Sequence, residues 1–225
     1  MERRICLAVL GALFIGCDAA DDPVAPSVSA SELGGDGISA AAVPIFTGHA
    51  TVIDASVLNI ISRLCDAGPI LKLPGGRFEF RLPFASLPDL ASARDLDCIT
   101  AGAGNKAIAE ASANDVRLTI GGHSITVDRV SAMVSATCVA GEAPRSKGRG
   151  VVLSLFVNGE RVPVRDILNQ RFDLPNGFIV INEQSSFSTP FHAGSTVKAL
   201  RIVIDRGERT ADIAIARTQA HIDCP

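Results

Sequence analysis

Residues 107–138 read AIAEASANDVRLTIGGHSITVDRVSAMVSATC. Gly121-Gly122 lies at the centre, and small or β-branched apolar residues alternate with polar ones on both sides. Glycine reaches positive φ without a Cβ clash, so this dipeptide suits a two-residue hairpin turn. Pairing outward from it predicts Leu118 opposite Ile125, Val116 opposite Val127 and Ala113 opposite Val130. Further out it predicts Ala111 with Ala132, Ala109 with Val134 and Ala107 with Ala136. The apolar face changes parity between Asn114 and Asp115 on one strand, and between Asp128 and Arg129 on the other. A single slip would be a bulge. Two slips on one rung predict a long hairpin whose tip and base bury opposite faces, by crossing from one stacked sheet to the other.

The same period-two pattern runs from Ile45 onward, broken by turn dipeptides. Asn158-Gly159 predicts a hairpin with Leu155 opposite Val162 and Leu153 opposite Val164. Asn176-Gly177 predicts Leu174 opposite Ile179 and Phe172 opposite Ile181. Two closing strands, 197–205 and 211–224, flank Arg206-Gly207. The one helical candidate is a turn at Asp166-Ile167-Leu168. The expected fold is all-β, an antiparallel β-sandwich with long hairpins; no fixed short repeat supports a solenoid.

The start of the chain has a different composition. Met1-Glu2-Arg3-Arg4 precedes an apolar run over 5–15, about half the ~20 residues that a membrane-spanning helix needs. Phe14-Ile15-Gly16-Cys17 resembles a bacterial lipobox, with Phe14 at the usual Leu position. The expectation is a lipoprotein-type signal over 1–16 with a lipid on Cys17; the alternative is ordinary cleavage near Ala19 or Ala20. Loss of 1–16 removes two arginines and one glutamate, which takes the formal charge from −3 to −4. Residues 17–44 are rich in Ala, Ser, Gly, Pro and Asp without periodicity, and read as a flexible tether with a reach of about 30 Å. Residues 45–225 then form a single domain.

Composition narrows the function. Ten Phe stand beside no Trp and no Tyr. Sugar platforms and single-strand nucleic-acid grooves commonly stack on Trp or Tyr, and the acidic balance offers phosphates no basic field. No nucleic-acid partner is expected. Four cysteines remain beyond the leader: Cys65, Cys98, Cys138 and Cys224. Three pairings can be drawn. The preferred one joins Cys138 to Cys224, from the end of the long hairpin to the last strand, and Cys65 to Cys98. No CxxC or Cys-plus-His spacing points to zinc, and no cofactor is expected.

His49, His123, His192 and His221 lie in four separate segments, without HxH or HExxH spacing, and read as surface or strand-edge residues. No GxSxG elbow is present, so no enzymatic activity is expected. Asn182-Glu183-Gln184 is the most distinctive polar cluster, read as closing the apolar run 178–181 and opening a loop. It could hold a ligand or Ca²⁺ through Glu183; the preferred reading is side chains that bind the backbone of a neighbouring connection. Asp205, Glu208 and Asp212 read as a solvated acidic end.

Several blocks carry a resemblance. They are Asp66-Ala67-Gly68-Pro69-Ile70 with Pro74-Gly75-Gly76, then Glu110-Ala111-Ser112-Ala113, Gly121-Gly122-His123-Ser124-Ile125-Thr126 and Ala136-Thr137-Cys138. Val157-Asn158-Gly159, Ile181-Asn182-Glu183-Gln184 and Ala220-His221-Ile222-Asp223-Cys224 follow. In this order, across nearly all of 45–225, they resemble the choice-of-anchor P family of bacterial exported proteins. The resemblance implies an exported module with no established activity, attached differently in different members. With no sorting signal after the closing strand, Cys17 is the expected anchor. Two features depart from the family pattern. Arg201 stands where the family's Val-Asn-Ala-Leu-His-Val block has His, and Cys65 and Cys98 are additional, which implies that they pair with each other. The resulting expectation is a cell-envelope lipoprotein, attached to the membrane through its N-terminal lipid, with a non-catalytic structural or interaction domain and a partner in the envelope or at the surface. The alternative is a secreted small-ligand or Ca²⁺-binding module.

Overall fold

Alternation sets in at Ile45, and the first strand begins there. The computed structural model describes residues 43–206 and 209–225. The expected leader, Cys17 and the tether up to residue 42 lie outside the described residues. Within them run twelve strands: β1 (Ile45–Val57), β2 (Ile60–Leu73), β3 (Gly76–Leu87), β4 (Ala91–Ala103), β5 (Lys106–Ile120) and β6 (His123–Val139). After these come β7 (Glu142–Val157), β8 (Glu160–Arg161), β9 (Gln170–Leu174), β10 (Gly177–Ser188), β11 (His192–Arg206) and β12 (Arg209–Asp223). No helix among the described residues is long and apolar enough to cross a membrane.

The strands form two six-stranded antiparallel sheets, ordered β2-β1-β12-β11-β10-β9 and β3-β4-β5-β6-β7-β8. The chain is one long meander. It changes sheet between β2 and β3 at one edge and between β8 and β9 at the other, and β12 closes beside β1. β1 lies over β4 and β5, β12 over β5 and β6, and β11 over β6 and β7. The result is the expected sandwich.

The central hairpin forms in the predicted register, from Leu118 with Ile125 out to Ala107 with Ala136. Its parity change has a different cause from the one the sequence suggested. Both halves of β5 and β6 stay in one sheet and bury the same face. Asp115 adopts φ 46°, a left-handed residue that turns the pleat over, and the pairing skips from Asn114–Arg129 to Val116–Val127. The same device recurs at Asp95 (φ 47°), Ser154 (φ 55°), Asn182 (φ 53°), Ala216 (φ 50°) and Cys65 (φ 51°). In the first sheet the skipped residues Cys65, Val52, Ala216, Ala199 and Asn182 share one rung. In the second, Asp115, Asp128 and Ser154 share another. A belt of slips therefore crosses both sheets. Even positions of β12 face the core below it, as with Thr218, Ala220 and Ile222; odd ones do above it, as with Ile213 and Ile215. A left-handed non-glycine residue costs about 1–2 kcal/mol, least for Asn and Asp, which fill three of these six positions.

Two other turns correct the expected pairing. Asn158 (φ 53°) and Gly159 (φ 83°) make the predicted primed turn, and the Val162 amide donates to Leu155 O at 2.9 Å. Strand β8 then ends, so Leu153 with Val164 never joins the ladder; Pro163 has no N–H to continue it. At β9–β10 the register is Leu174 with Gly177 and Phe172 with Ile179, two residues from the expected one. The turn is centred on Pro175-Asn176, where proline's fixed φ favours the first corner position. Gly177 is thereby drawn into the strand, where a Cβ would lie 2.0 Å from the Val203 carbonyl oxygen. A two-residue shift preserves parity, so the same face is buried. Asp166-Ile167-Leu168 is a bend leading into a turn, without helix.

The interior is filled by aliphatic side chains, Ile53, Ile70, Leu96, Leu118, Leu155, Leu200 and Ile213 among them, each nearly or fully inaccessible. Burying one such side chain contributes about 1.5–3 kcal/mol. Below the belt, β5 and β6 bury mostly alanine: Ala107, Ala109, Ala111, Ala113, Ala132 and Ala136. Phe46 occupies the space left by Gly102, whose added Cβ would sit 2.5 Å from that ring. Both preferred disulfides are present. Cys138–Cys224 joins the ends of β6 and the chain across the two sheets (Cα–Cα 5.7 Å). Cys65–Cys98 joins β2 to β4 across the seam beside β3 (Cα–Cα 6.1 Å). Disulfides are characteristic of oxidising compartments outside the reducing cytosol.

The edge strand β3 is sided. Phe78, Phe80, Leu82 and Phe84 lie on one face and remain substantially exposed. Opposite them, Arg77 and Arg81 flank Glu79, and the Arg77 hydrogen bond holds the Glu79 carboxyl below the usual range. These charges and Pro83 blunt the edge against further pairing.

Candidate functional site

Asn182 lies in mid-strand, not at the mouth of a loop as its sequence neighbours suggested. Its left-handed backbone is the slip of β10. That conformation aims a buried side chain across the sandwich, where Oδ1 accepts from the Gly150 amide of β7 at 2.9 Å. Gln184 Nε2 donates to the same oxygen at 2.6 Å. Asn169, in the β8–β9 connection, donates its amide to Asn182 O and accepts the Gln184 amide on its own Oδ1. Asn182 thus binds the backbone of β7, while Gln184 joins the cluster through its side chain on Asn182 and its main-chain amide on Asn169.

Glu183 faces outward, where it meets Lys198 Nζ at 2.7 Å and Arg201 at 3.1 Å. Arg201 also forks onto Asp212 at 2.6 and 2.9 Å. The hydrogen bond to Asp212, and behind it the one to Glu183, pushes the guanidinium above its ordinary range. The network continues across the sheet, where Asp54 bridges Arg217 and Arg63. A hollow of about 360 Å³ on this outer face is lined by Asp54, Arg63, Lys198, Asp212 and Arg217. Opposite charges are interleaved around it, so it has no strong field of one sign. A Ca²⁺ site gathers several oxygen ligands, mostly carboxylates; Glu183 instead has two cations against it. Replacing Arg201 by Ala leaves Glu183 with Lys198 and takes the guanidinium fork away from Asp212, both carboxylates being half-buried. The expected loss is about 1–2 kcal/mol, shrinking in high salt, measured by urea denaturation at two ionic strengths. Asp212 therefore belongs to this network; Glu208 lies outside the described residues.

The histidines take three roles. His123 is buried at the tip of the sandwich. Its Nε2 faces Asn176 Oδ1 at 2.6 Å and its Nδ1 faces Asn158 Nδ2 at 3.2 Å. An Nε2–H tautomer satisfies both contacts, one as donor and one as acceptor. Asn176 Nδ2 donates to Gly121 O, and Asp205 N donates to Asn176 O. One ring thus fastens the β5–β6, β7–β8 and β9–β10 turns. His123→Ala takes one partner from half-buried Asn176 and one from exposed Asn158, and thermal and urea melts are expected to show a loss of about 1–2 kcal/mol.

His49 Nε2 contacts both Asp66 Oδ1 and Thr51 Oγ1. A hydroxyl, an imidazole and a carboxylate meet here, but both partners use the same ring nitrogen. A catalytic relay needs one nitrogen for each partner, and Thr51 is fully buried. His192 and His221, placed in separate segments by the sequence, come together with Asp223. The spacing rules missed them because β11 lies beside β12 with His192 opposite Asp223, and His221 is two residues back on the same face.

Other hollows are open to solvent. One, about 650 Å³, lies between Leu153 and Val164 and contains none of these groups. No protein-family model, curated protein or solved structure matches the chain.

Proposed function

We propose that the chain is an exported protein of the choice-of-anchor P kind, held in the cell envelope by a lipid on Cys17. Its disulfide-closed sandwich serves as a structural or interaction domain and carries out no chemistry. One observation carries this reading: the polar groups that stood out in the sequence are engaged in holding strands and turns. Asn182 binds Gly150, His123 fastens three turns, and Glu183 is neutralised by Lys198 and Arg201. A ligand-binding reading would need Glu183 free or accompanied by further carboxylates. The two disulfides fit maturation outside the cytosol.

Intact mass of the full chain, purified from its host without reductant, tests the proposal. The expected species begins at Cys17, carries acyl chains and lacks four hydrogens, two for each disulfide. A Cys17→Ser variant is expected to leave the membrane pellet for the soluble fraction. An unacylated chain starting near Ala19 or Ala20 would replace the anchored reading with the secreted one.

A further inference from the structure

We infer that His192, His221 and Asp223 form a binding site for a borderline divalent transition-metal ion of the Zn²⁺ type. The site lies on the outer face of the first sheet, at the end where β1 begins. One ligating atom from each residue lies within 4.8 Å of the other two. His192 Nδ1 and His221 Nε2 are each 2.8 Å from Asp223 Oδ1.

The two contacts differ in kind. His192 Nδ1 approaches as a hydrogen bond. His221 Nε2 is buried and makes no hydrogen bond despite its short distance. If that nitrogen carries its proton, the N–H is not aimed at the carboxylate. If it does not, two acceptor atoms stand 2.8 Å apart with no proton between them. A cation between them removes the conflict, since the unprotonated nitrogen of a neutral imidazole and a carboxylate are both ligands of such a metal. In a tetrahedral site neighbouring ligand atoms stand about 3.4 Å apart, given metal–ligand distances of about 2.0–2.2 Å. Small side-chain rotations reach this from the observed spacing.

The surroundings hold the ligands in place. Asp223 is adjacent to Cys224 of the disulfide, and the Cys224 amide donates to Phe191 O at 2.8 Å. The His192 amide donates to Thr189 Oγ1 at 3.0 Å, which fixes the β10–β11 turn. Phe187 meets the His221 ring edge-on, with centroids 5.0 Å apart. Two imidazoles and a carboxylate on rigid strands suit Zn²⁺ and its neighbours better than Ca²⁺ or Mg²⁺, which prefer oxygen. Three protein ligands leave a position for an exchangeable ligand such as water. The inference does not depend on the envelope reading.

The test is calorimetric titration of the oxidised full chain with Zn²⁺, after chelator treatment and without a polyhistidine tag. One Zn²⁺ per chain is expected, with a higher Tm. His192→Ala and His221→Ala should each weaken binding at least tenfold, while His49→Ala leaves it unchanged; circular dichroism verifies the fold of each variant. Should His221→Ala fail to fold, the exposed His192→Ala and Asp223→Asn decide the question. Absence of binding to the unaltered chain, affinity unchanged in His192→Ala, or loss of binding in His49→Ala would overturn the assignment.

Discussion

Oxidised protein in which Cys138 and Cys224 are both serine is expected to be about 4.6 kcal/mol less stable than the parent chain. The figure is the chain-entropy cost released when a loop of 86 residues opens in the unfolded state. It compares with about 3.7 kcal/mol for the 33-residue loop closed by Cys65–Cys98. The larger value is a substantial part of the 5–15 kcal/mol that a domain of this kind has in total. The native state also loses a clamp, because this bridge joins the end of β6 to the chain beyond β12 across the sandwich. Equilibrium urea denaturation without reductant measures the effect. The m-value should rise, as the unfolded chain expands when the loop opens. A loss below about 1 kcal/mol with an unchanged m-value would mean that the bridge adds little to what the sheets already secure.

Asn182→Ala is expected to cost about 3 kcal/mol. Part of this is backbone, since φ is 53° and alanine tolerates the left-handed region poorly. The rest is the stranded Gly150 amide, which loses its acceptor inside the sandwich. Asn182→Gly separates the two contributions. It keeps the backbone freedom and loses the acceptor, so it should recover about 1 kcal/mol relative to alanine. Hydrogen exchange at Gly150 should quicken in both variants. If that amide stays fully protected in Asn182→Ala, the side chain does not hold β7 and the assignment fails.

The hairpin centred on Gly121-Gly122 was readable to its last pair because all its determinants are local. Two glycines set the turn, and every alternating residue outward agrees on one register. The slip at Asp115 was visible as a parity change, but its meaning was not. A left-handed residue and a strand that crosses between sheets produce the same pattern along the chain. The Asn176-Gly177 turn misled for a related reason. Its dipeptide favours a primed turn in isolation, while Gly177 is needed where β10 passes Val203, and Asn176 is needed at Gly121 and His123. Those partners are distant in sequence, so no local rule weighs them.

The candidate site divides in the same way. Asn182, Glu183 and Gln184 stood out as a polar triplet at the end of an apolar run, yet their partners Gly150, Lys198 and Arg201 come from other strands. His192 and His221 carried no spacing signal, because 29 residues separate them along the chain and only the β11–β12 register sets them side by side. From the amino acids alone came the strand content, the central hairpin and the set of four domain cysteines, all products of short-range periodicity, turn chemistry and composition. Tertiary structure decided which polar groups meet, because strand pairing joins residues by register and a belt of left-handed positions chooses which face each one presents.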